Sequence, residues 1–304
     1  MLHFIYAFDY NYNQQGFTSI YSLLQNVDEK INISLLLDSS SFNVEVPFKI
    51  NNHKKLNILN KYLINSNEQF YNLDDSHVSK ATFYRLLISE KLRISSDYLI
   101  YLDCDVVCLQ NPVSLLHDVV KNMEINRLSF AMVDELYRFQ SEEAFIRLFM
   151  DSDKYFNAGF MVIDLKYWTS NSLTTRSINK IKELKNKAKF WDQDILNSLI
   201  DGNYMSLDNR YNFKSSDIKL NSNKALFVHF SGKTKPWEVG GVYENFADIY
   251  HNYYSTLFSR EFHITCKNRK NSLQRLLKTI FFKKVTFRSI KYIFKSLYVI
   301  IKKS

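Results

Sequence analysis

The sequence predicts an α/β fold built on a mostly parallel sheet, and three observations carry that expectation. Short apolar runs alternate, along residues 1 to about 260, with stretches whose apolar positions recur at helical spacing, the pattern of strand–helix units. Some runs, such as NISLLL at 32–37, are continuously apolar, as strands covered on both faces are. At 304 residues the chain can bury roughly three quarters of its unfolded surface, so the fold needs no disulfide or zinc staple.

The elements follow in order. Residues 3–8 (HFIYAF) read as a buried first strand, because the apolar run ends abruptly at Asp9. Residues 18–24 have apolar positions at helical spacing, and 32–37 form a second strand. Residues 79–92 read as a helix, with Phe83, Leu86, Leu87 and Glu90 near i, i+3, i+4 and i+7. Residues 98–102 form a short apolar strand that runs straight into Asp103. Residues 128–133, 160–165 and 225–230 are further strands, and 195–199 belong to a helix. Glycine (6) and proline (3) are scarce. Asparagine therefore supplies many turns, since it tolerates the left-handed region and caps its own backbone. No internal repeat is present.

The charge is divided sharply. Residues 262–304 hold 12 Lys or Arg and no acidic group, against 28 basic and 31 acidic groups in the rest. Within 272–303, apolar positions recur at helical spacing among the lysines, as in one basic amphipathic helix or two short ones lying in a membrane interface. Each Lys or Arg near an anionic surface contributes about 1 kcal/mol. The expected organisation is a catalytic domain over 1–260 and a membrane-associating tail over 261–304. The alternative is a tail folded back onto the domain. Nucleic acid is not an expected partner, because the body is mildly acidic and carries no recognition motif. The three cysteines, Cys104, Cys108 and Cys266, form no CxxC pair, and an odd number argues against a disulfide framework. Residues 1–8 have no basic start and no cleavage site, and no stretch reaches the roughly 20 apolar residues of a membrane span. The expected place is the cytoplasm, at the inner face of the membrane.

The chemistry centres on YLIYLDCDVV, residues 98–107. An apolar strand delivers Asp103 and Asp105, whose side chains point the same way if the backbone stays extended. Two converging carboxylates suit Mg²⁺ or Mn²⁺ carrying a diphosphate. A hydrogen-bonded pair at a strand end is the alternative for these residues taken alone. Asp151/Asp153 and Asp192/Asp194 share the spacing but follow no apolar strand.

The chain resembles glycosyltransferase family 8, particularly bacterial lipopolysaccharide galactosyl- and glucosyltransferases. The matching segments lie in family order. They are IYAFDYNY (5–12), HVSKATFYRLLISEKL (77–92), YLIYLDCDVVCLQNPVSLL (98–116), YFNAGFMVIDLKYW (155–168), WDQDILN (191–197) and HFSGKTKPW (229–237). The resemblance implies a GT-A fold, a UDP-sugar donor such as UDP-galactose or UDP-glucose, a divalent metal (Mn²⁺ or Mg²⁺) and retention of anomeric configuration. It implies an oligosaccharide or glycolipid acceptor of lipopolysaccharide, O-antigen or capsule. Asp103, Asp105 and His229 would be the metal ligands. Gly232 and Lys235 would approach the diphosphate. Ala7, Asp9 and Asn11 would meet uracil or ribose, and Arg85 the donor. Asp134, Asn157, Ala158, Gly159, Asp192 and Gln193 would surround the donor sugar, with Gln193, Asp192 and Asp134 nearest the chemistry. Cys104 stands in the middle of DxD, where the family often has a larger residue, and reads as a small core or backbone-contact position of the donor segment. Cys104 and Cys108 make no zinc site without neighbouring ligands.

Two alternatives remain at this level. A haloacid-dehalogenase-type phosphatase would use Asp103 as nucleophile and Asp105 as acid/base, but the strand comes late and no GDxxxD segment follows. A non-catalytic sugar-nucleotide-binding module would have lost Asp103 or His229, and both are present.

Overall fold

The structure, a computed structural model, describes residues 1–64, 80–88, 92–135, 142–216, 224–232, 235–282 and 287–302. Its strands are β1 (His3–Phe8), β2 (Ile31–Leu37), β3 (Leu56–Leu63), β4 (Tyr98–Leu102), β5 (Val106–Cys108), β6 (Phe130–Asp134), β7 (Phe156–Asp164), β8 (Met205–Leu207), β9 (Phe213–Lys214) and β10 (Phe227–His229). The main sheet runs β3-β2-β1-β4-β7-β6-β8, and a small second sheet runs β5-β10-β9. The main sheet is mostly parallel, as expected. Only β7 reverses, lying antiparallel to both β4 and β6.

Both faces of the sheet are covered, which is why the central strands read as unbroken apolar runs. Alternate residues feed two cores. Phe4, Tyr6, Phe8, Ile100, Leu102, Phe160 and Val162 face one of them. Ile5, Ala7, Leu99, Tyr101, Met161 and Ile163 face the other. The first core lies under helix α1 (Asn13–Asn26), which is longer than the 18–24 apolar pattern. Its polar residues are buried too, and they bond locally. Thr18 Oγ1 donates to Gln14 O at 2.7 Å, and Ser22 Oγ to Ser19 O at 2.7 Å. The remaining helices are α2 (Val113–Asn126), α3 (Glu142–Leu148), α4 (Leu165–Ser170), α5 (Leu173–Leu184), α6 (Trp191–Ile200), α7 (Ala247–Phe258), α8 (Arg269–Phe282) and α9 (Phe287–Lys302), beside two single turns at Ser39–Phe42 and Phe48–Asn51.

Two elements differ from expectation. The described part of 79–92 is a run of 3₁₀ turns, Lys80–Leu87, rather than an α-helix; residues 79 and 89–91 lie outside the described residues. Phe83 through Ile88 are all buried. β3 was not legible as a strand. It is the sheet's edge, half-exposed along its length, and its Asn57, Asn60 and Lys61 break the apolar signal.

The tail forms a helical hairpin against the domain. α8 buries Ser272 and Leu276, and α9 buries Tyr292, Ser296 and Ile300, each at helical spacing. Leu276 and Ile300 join Val239 and Cys266 in a small separate core. Four tail cations reach two carboxylates: Lys267 and Arg275 pair with Glu238 of the domain, and Lys291 and Lys295 with Glu261 at the head of the tail. The opposite surface stays apolar and exposed at Leu273, Leu277, Phe281, Phe294, Tyr298 and Ile301. None of the described helices is long and apolar enough to cross a membrane.

Two buried histidines set an acid limit on this fold. His3 Nε2 lies 2.8 Å from Ser34 Oγ, and burial lowers its pKa to about 4. His263 stacks on Tyr254 with ring centroids 4.8 Å apart. Burial, aided by His251 and Arg260, lowers its pKa to about 3. Unfolded, both rings protonate near 6.5, so protons favour the unfolded chain below that pH. Stability is full above pH 6.5 and falls as pH drops toward 4, by at most about 1.4 kcal/mol per pH unit for each ring. Urea unfolding near pH 7 and near pH 5 should show the loss, and His263→Phe should remove part of it.

Candidate active site

A pocket of about 400 Å³ opens where β1 and β4 end, the edge at which open α/β sheets present ligand sites. Its wall includes Ala7, Arg85, Asp103, Cys104, Asp105, Asn157, Ala158, Gly159, Asp192, Gln193, His229 and Lys235. Four residues expected there lie beside the wall instead. The Asp9 side chain accepts from Asn11 N at 2.9 Å, so these two cap a turn. Asp134 takes the Tyr204 hydroxyl. Gly232 adopts φ +107° with open space around it.

The two aspartates converge by a turn, not by strand alternation. β4 stops at Leu102, Val106 N donates to Asp103 O at 3.1 Å, and β5 then enters the second sheet. The DCD segment is therefore the crossing between the sheets. His229 arrives from the same small sheet, because β10 pairs with β5 and sets His229 opposite Val106. His229 Nε2 lies 3.2 Å from Asp105 Oδ1 and 3.9 Å from Asp103 Oδ2. One ligand atom from each of the three lies within 4.8 Å of the others.

Arg85 braces this cluster from behind. Its Nη2 lies 2.6 Å from Asp103 Oδ1 and its Nε 2.7 Å from Asp192 Oδ2. Nη1 donates to Ala158 O at 2.6 Å, and the guanidinium sits over the Tyr101 ring. Burial opposes its charge, but Asp103 and Asp192 outweigh that and raise its pKa above the ordinary arginine value. Asp192, in the first turn of α6, is raised to about 7 by burial and by Asp103, against the pull of Arg85. Asp194, two residues on, does structural work instead, accepting from Tyr155, Arg147 and the backbone of Lys189 and Phe190.

A chain of amides orients His229. Gly159 N–H donates to Asn157 Oδ1 at 3.0 Å, and a backbone N–H is only ever a donor. Asn157 Oδ1 therefore also accepts from Asn212 Nδ2, at 2.8 Å. That turns Asn212 Oδ1 toward His229 Nδ1, 2.9 Å away. Nδ1 must carry the proton, and the Nε2 lone pair faces Asp103 and Asp105. This is the tautomer a metal-ligating histidine needs, with its other nitrogen held by an outer hydrogen bond. Two carboxylates and a neutral imidazole fit Mn²⁺ or Mg²⁺. Burial, with Asp105 and Asp103 adding repulsion, keeps the Cys104 thiol well above its usual pKa.

Lys235 closes the far side. Its Nζ lies 2.6 Å from Asp105 Oδ2 and 2.7 Å from Phe230 O. Burial would raise the Asp105 carboxyl, but the Lys235 ammonium beside it holds it below the ordinary carboxylate range. At the rim stands Trp191, 39% exposed, with φ +45°, unusual for a bulky residue. Several contributors were not read from the sequence: Asn212, Trp191, Tyr12, and the Glu135–Lys214 pair that adjoins Asn157. Asn212 belongs to no apolar run, and only pairing of β9 with β10 carries it beside His229.

The glycosyl transferase family 8 model matches residues 3–240. The chain belongs to glycosyl transferase family 8. A lipopolysaccharide 1,2-glucosyltransferase of Escherichia coli (strain K12) is 31% identical over 260 residues, covering 80% of this chain and 74% of that protein. General stress protein A of Bacillus subtilis (strain 168) is 27% identical, over 84% of this chain and 93% of its own. A lipopolysaccharide 1,3-galactosyltransferase of Salmonella typhimurium is 28% identical, over 54% of this chain and 51% of its own. The galactosyltransferase LgtC, solved in complex with donor and acceptor sugar analogs, superposes with a TM-score of 0.71 at 21% identity. The match covers 89% of this chain and 100% of that one, and shows the GT-A fold. Membership of family 8 removes the phosphatase reading of Asp103 and Asp105.

The orientation of His229 can be broken from either end in this family 8 chain. A Cβ added at Gly159 would sit 2.3 Å from His229 Cε1, so Gly159→Ala displaces the ring. Asn212→Leu removes the acceptor of its Nδ1 proton. Each variant should weaken Mn²⁺ binding about 10- to 100-fold, the usual cost of losing an outer-shell partner, read by electron paramagnetic resonance titration of free Mn²⁺.

Proposed function

We propose that this glycosyltransferase moves a hexose, galactose or glucose, from a UDP-sugar to a saccharide acceptor of lipopolysaccharide or a related surface glycan, with retention of configuration. The observation that carries the reading is the convergence of Asp103, Asp105 and His229 on the wall of a pocket in a family 8 chain. The named relatives that act on lipopolysaccharide support the hexose and the acceptor class.

In this reading, Asp103, Asp105 and His229 hold a divalent cation. When bound, it would neutralise the donor diphosphate and stabilise the departing nucleoside diphosphate. Lys235, held beside Asp105, adds a point charge for the phosphate oxygens. Ala7 and Phe8 at the end of β1, with Tyr12 from the turn that follows, form the nucleoside end of the pocket. Gln193 and Asp192 flank the sugar. Gln193 Oε1 accepts from Asn157 Nδ2 and from Ala158 N, both at 3.1 Å, so its amide is a fixed orienting group and a poor nucleophile.

Asp192 is engaged by Arg85, and Asp134 by Tyr204. A covalent route would have to free one of them. The favoured course is attack by the acceptor hydroxyl on the face that UDP vacates. The bond from the anomeric carbon to the phosphate oxygen breaks, the bond to the acceptor oxygen forms, and the acceptor proton passes to the departing phosphate. A glycosyl adduct on Asp192 or Asp134, seen by mass spectrometry, would overturn this course.

The test of the class is UDP release from a panel of UDP-sugars with and without Mn²⁺. Metal-dependent release from one sugar nucleotide, lost by at least about 100-fold in Asp105→Ala, is expected, the scale of removing a group that stabilises developing charge. Absence of release from every donor would sink the reading.

The same proposal places the enzyme at the cytoplasmic face of the inner membrane. The exposed apolar side chains of α8 and α9 lie among lysines, the composition of helices that lie in an interface. Co-sedimentation with phosphatidylglycerol vesicles should fall at high salt and in the double variant Phe281→Ser, Phe294→Ser. Equal binding to neutral vesicles would contradict it.

A further inference from the structure

Lys235 is useful only if its backbone is fixed, and the groups that fix it come from the tail. The turn after Lys235 is tight. Glu238 N donates to Lys235 O at 3.0 Å, and Gly241 N to Glu238 O at 2.8 Å. A Cβ added at Gly241 would fall 1.9 Å from Lys235 O, so the chain closes directly on the lysine's own carbonyl. Gly240 supplies the reversal with φ +88°, and its Cβ position faces Arg275 Cβ of α8 at 3.3 Å.

Two tail residues lock this turn. The Tyr292 hydroxyl of α9 donates to Glu238 O at 3.0 Å and accepts from Gly240 N at 2.9 Å. Tyr292 is 1% exposed, and its ring is held edge-on by Tyr243 and Phe262. Arg275 Nη1 lies 2.6 Å from Glu238 Oε2, with Lys267 Nζ 3.2 Å from the other oxygen. Glu238 is itself buried, so its carboxylate depends on those cations.

We infer that the α8–α9 hairpin, through Tyr292 and Arg275 acting on the Lys235–Gly241 turn, is a clamp that positions Lys235 at the diphosphate end of the pocket. Tyr292 and Arg275 are positioning residues. Neither reaches the pocket wall. The inference rests on the proposed role of Lys235 toward a UDP-sugar. It links the surface proposed to meet a membrane to the group proposed to hold the donor.

The test uses the full chain. Tyr292→Phe keeps the buried ring and deletes one hydroxyl. Arg275→Met deletes a charge from a half-exposed side chain, and Arg275→Lys restores it. Because Lys235 would meet the phosphates already in the bound donor, its misplacement weakens donor binding and raises KM.

Tyr292→Phe and Arg275→Met should each weaken UDP–Mn²⁺ binding in calorimetry, and raise the UDP-sugar KM, about fivefold, the worth of one hydrogen bond. Arg275→Lys should recover most of the loss. In a Lys235→Ala background neither variant should add anything, since coupled residues are non-additive. A lowered melting temperature with unchanged binding and KM would make the hairpin a structural support only, as would losses that simply add to Lys235→Ala. Failure of the wild-type chain to bind UDP–Mn²⁺ would overturn the functional reading and this one with it. Wild-type binding with unaltered variants would overturn the clamp alone.

Discussion

Everything at the site leans on one buried guanidinium. Arg85 joins four separate pieces of chain: the 3₁₀ segment it belongs to, the end of β4 through Asp103, the start of α6 through Asp192, and β7 through Ala158 O. Each carboxylate alone would be costly to bury, and the arginine between them would be equally costly without them. The three form one unit that is stable only complete. It also fixes how far Asp103 stands from α6, and so sets the width of the pocket between the proposed metal end and the proposed sugar end.

How much of this was legible follows from which physical signals survive in a linear sequence. Burial on both faces leaves a continuous apolar run, so β1, β2, β4 and β7 could be read. A half-exposed edge leaves a mixed one, so β3 could not. The three-residue strands β5 and β8 are too short to carry a period, whereas β10 shows inside the apolar run 225–230. DxD stands out by its spacing after an apolar strand, and its two side chains do converge, but not by strand alternation. The convergence of Asp103 and Asp105 comes from a turn between two sheets, and no local pattern announces a crossing of that kind. His229 was legible by its motif, but its orienting partner Asn212 was not, because their relation is a pairing of strands and not a spacing.

The tail shows the same limit from another side. Its apolar positions do recur at helical spacing, and two helices are there. The period alone does not say which face meets what, and here apolar residues occupy two. One stripe (Leu276, Tyr292, Ile300) is buried against the domain, while Leu277, Phe294 and Tyr298 remain outside. Part of the charge that marked the tail as a separate basic unit is spent inwardly, on Glu238 and Glu261. Of the two readings of the tail taken from the sequence, the folded-back one describes the inner face of the hairpin, and the membrane-facing one is the proposal made for its outer face.

That dual use has a practical side. An apolar, basic C-terminus invites removal by anyone seeking a better-behaved sample for crystallisation. A chain ended before Arg269 would lose Arg275 from beside the buried Glu238 carboxylate and Tyr292 from the backbone of the Glu238–Gly240 segment. It would also uncover Val239 and Cys266, now roofed by Leu276 and Ile300. Trimming would exchange a greasy outer surface for a raw inner one, and would do so next to the pocket. Surface replacement at Phe281, Phe294 and Tyr298 changes solubility while leaving the inner face of the hairpin as it is.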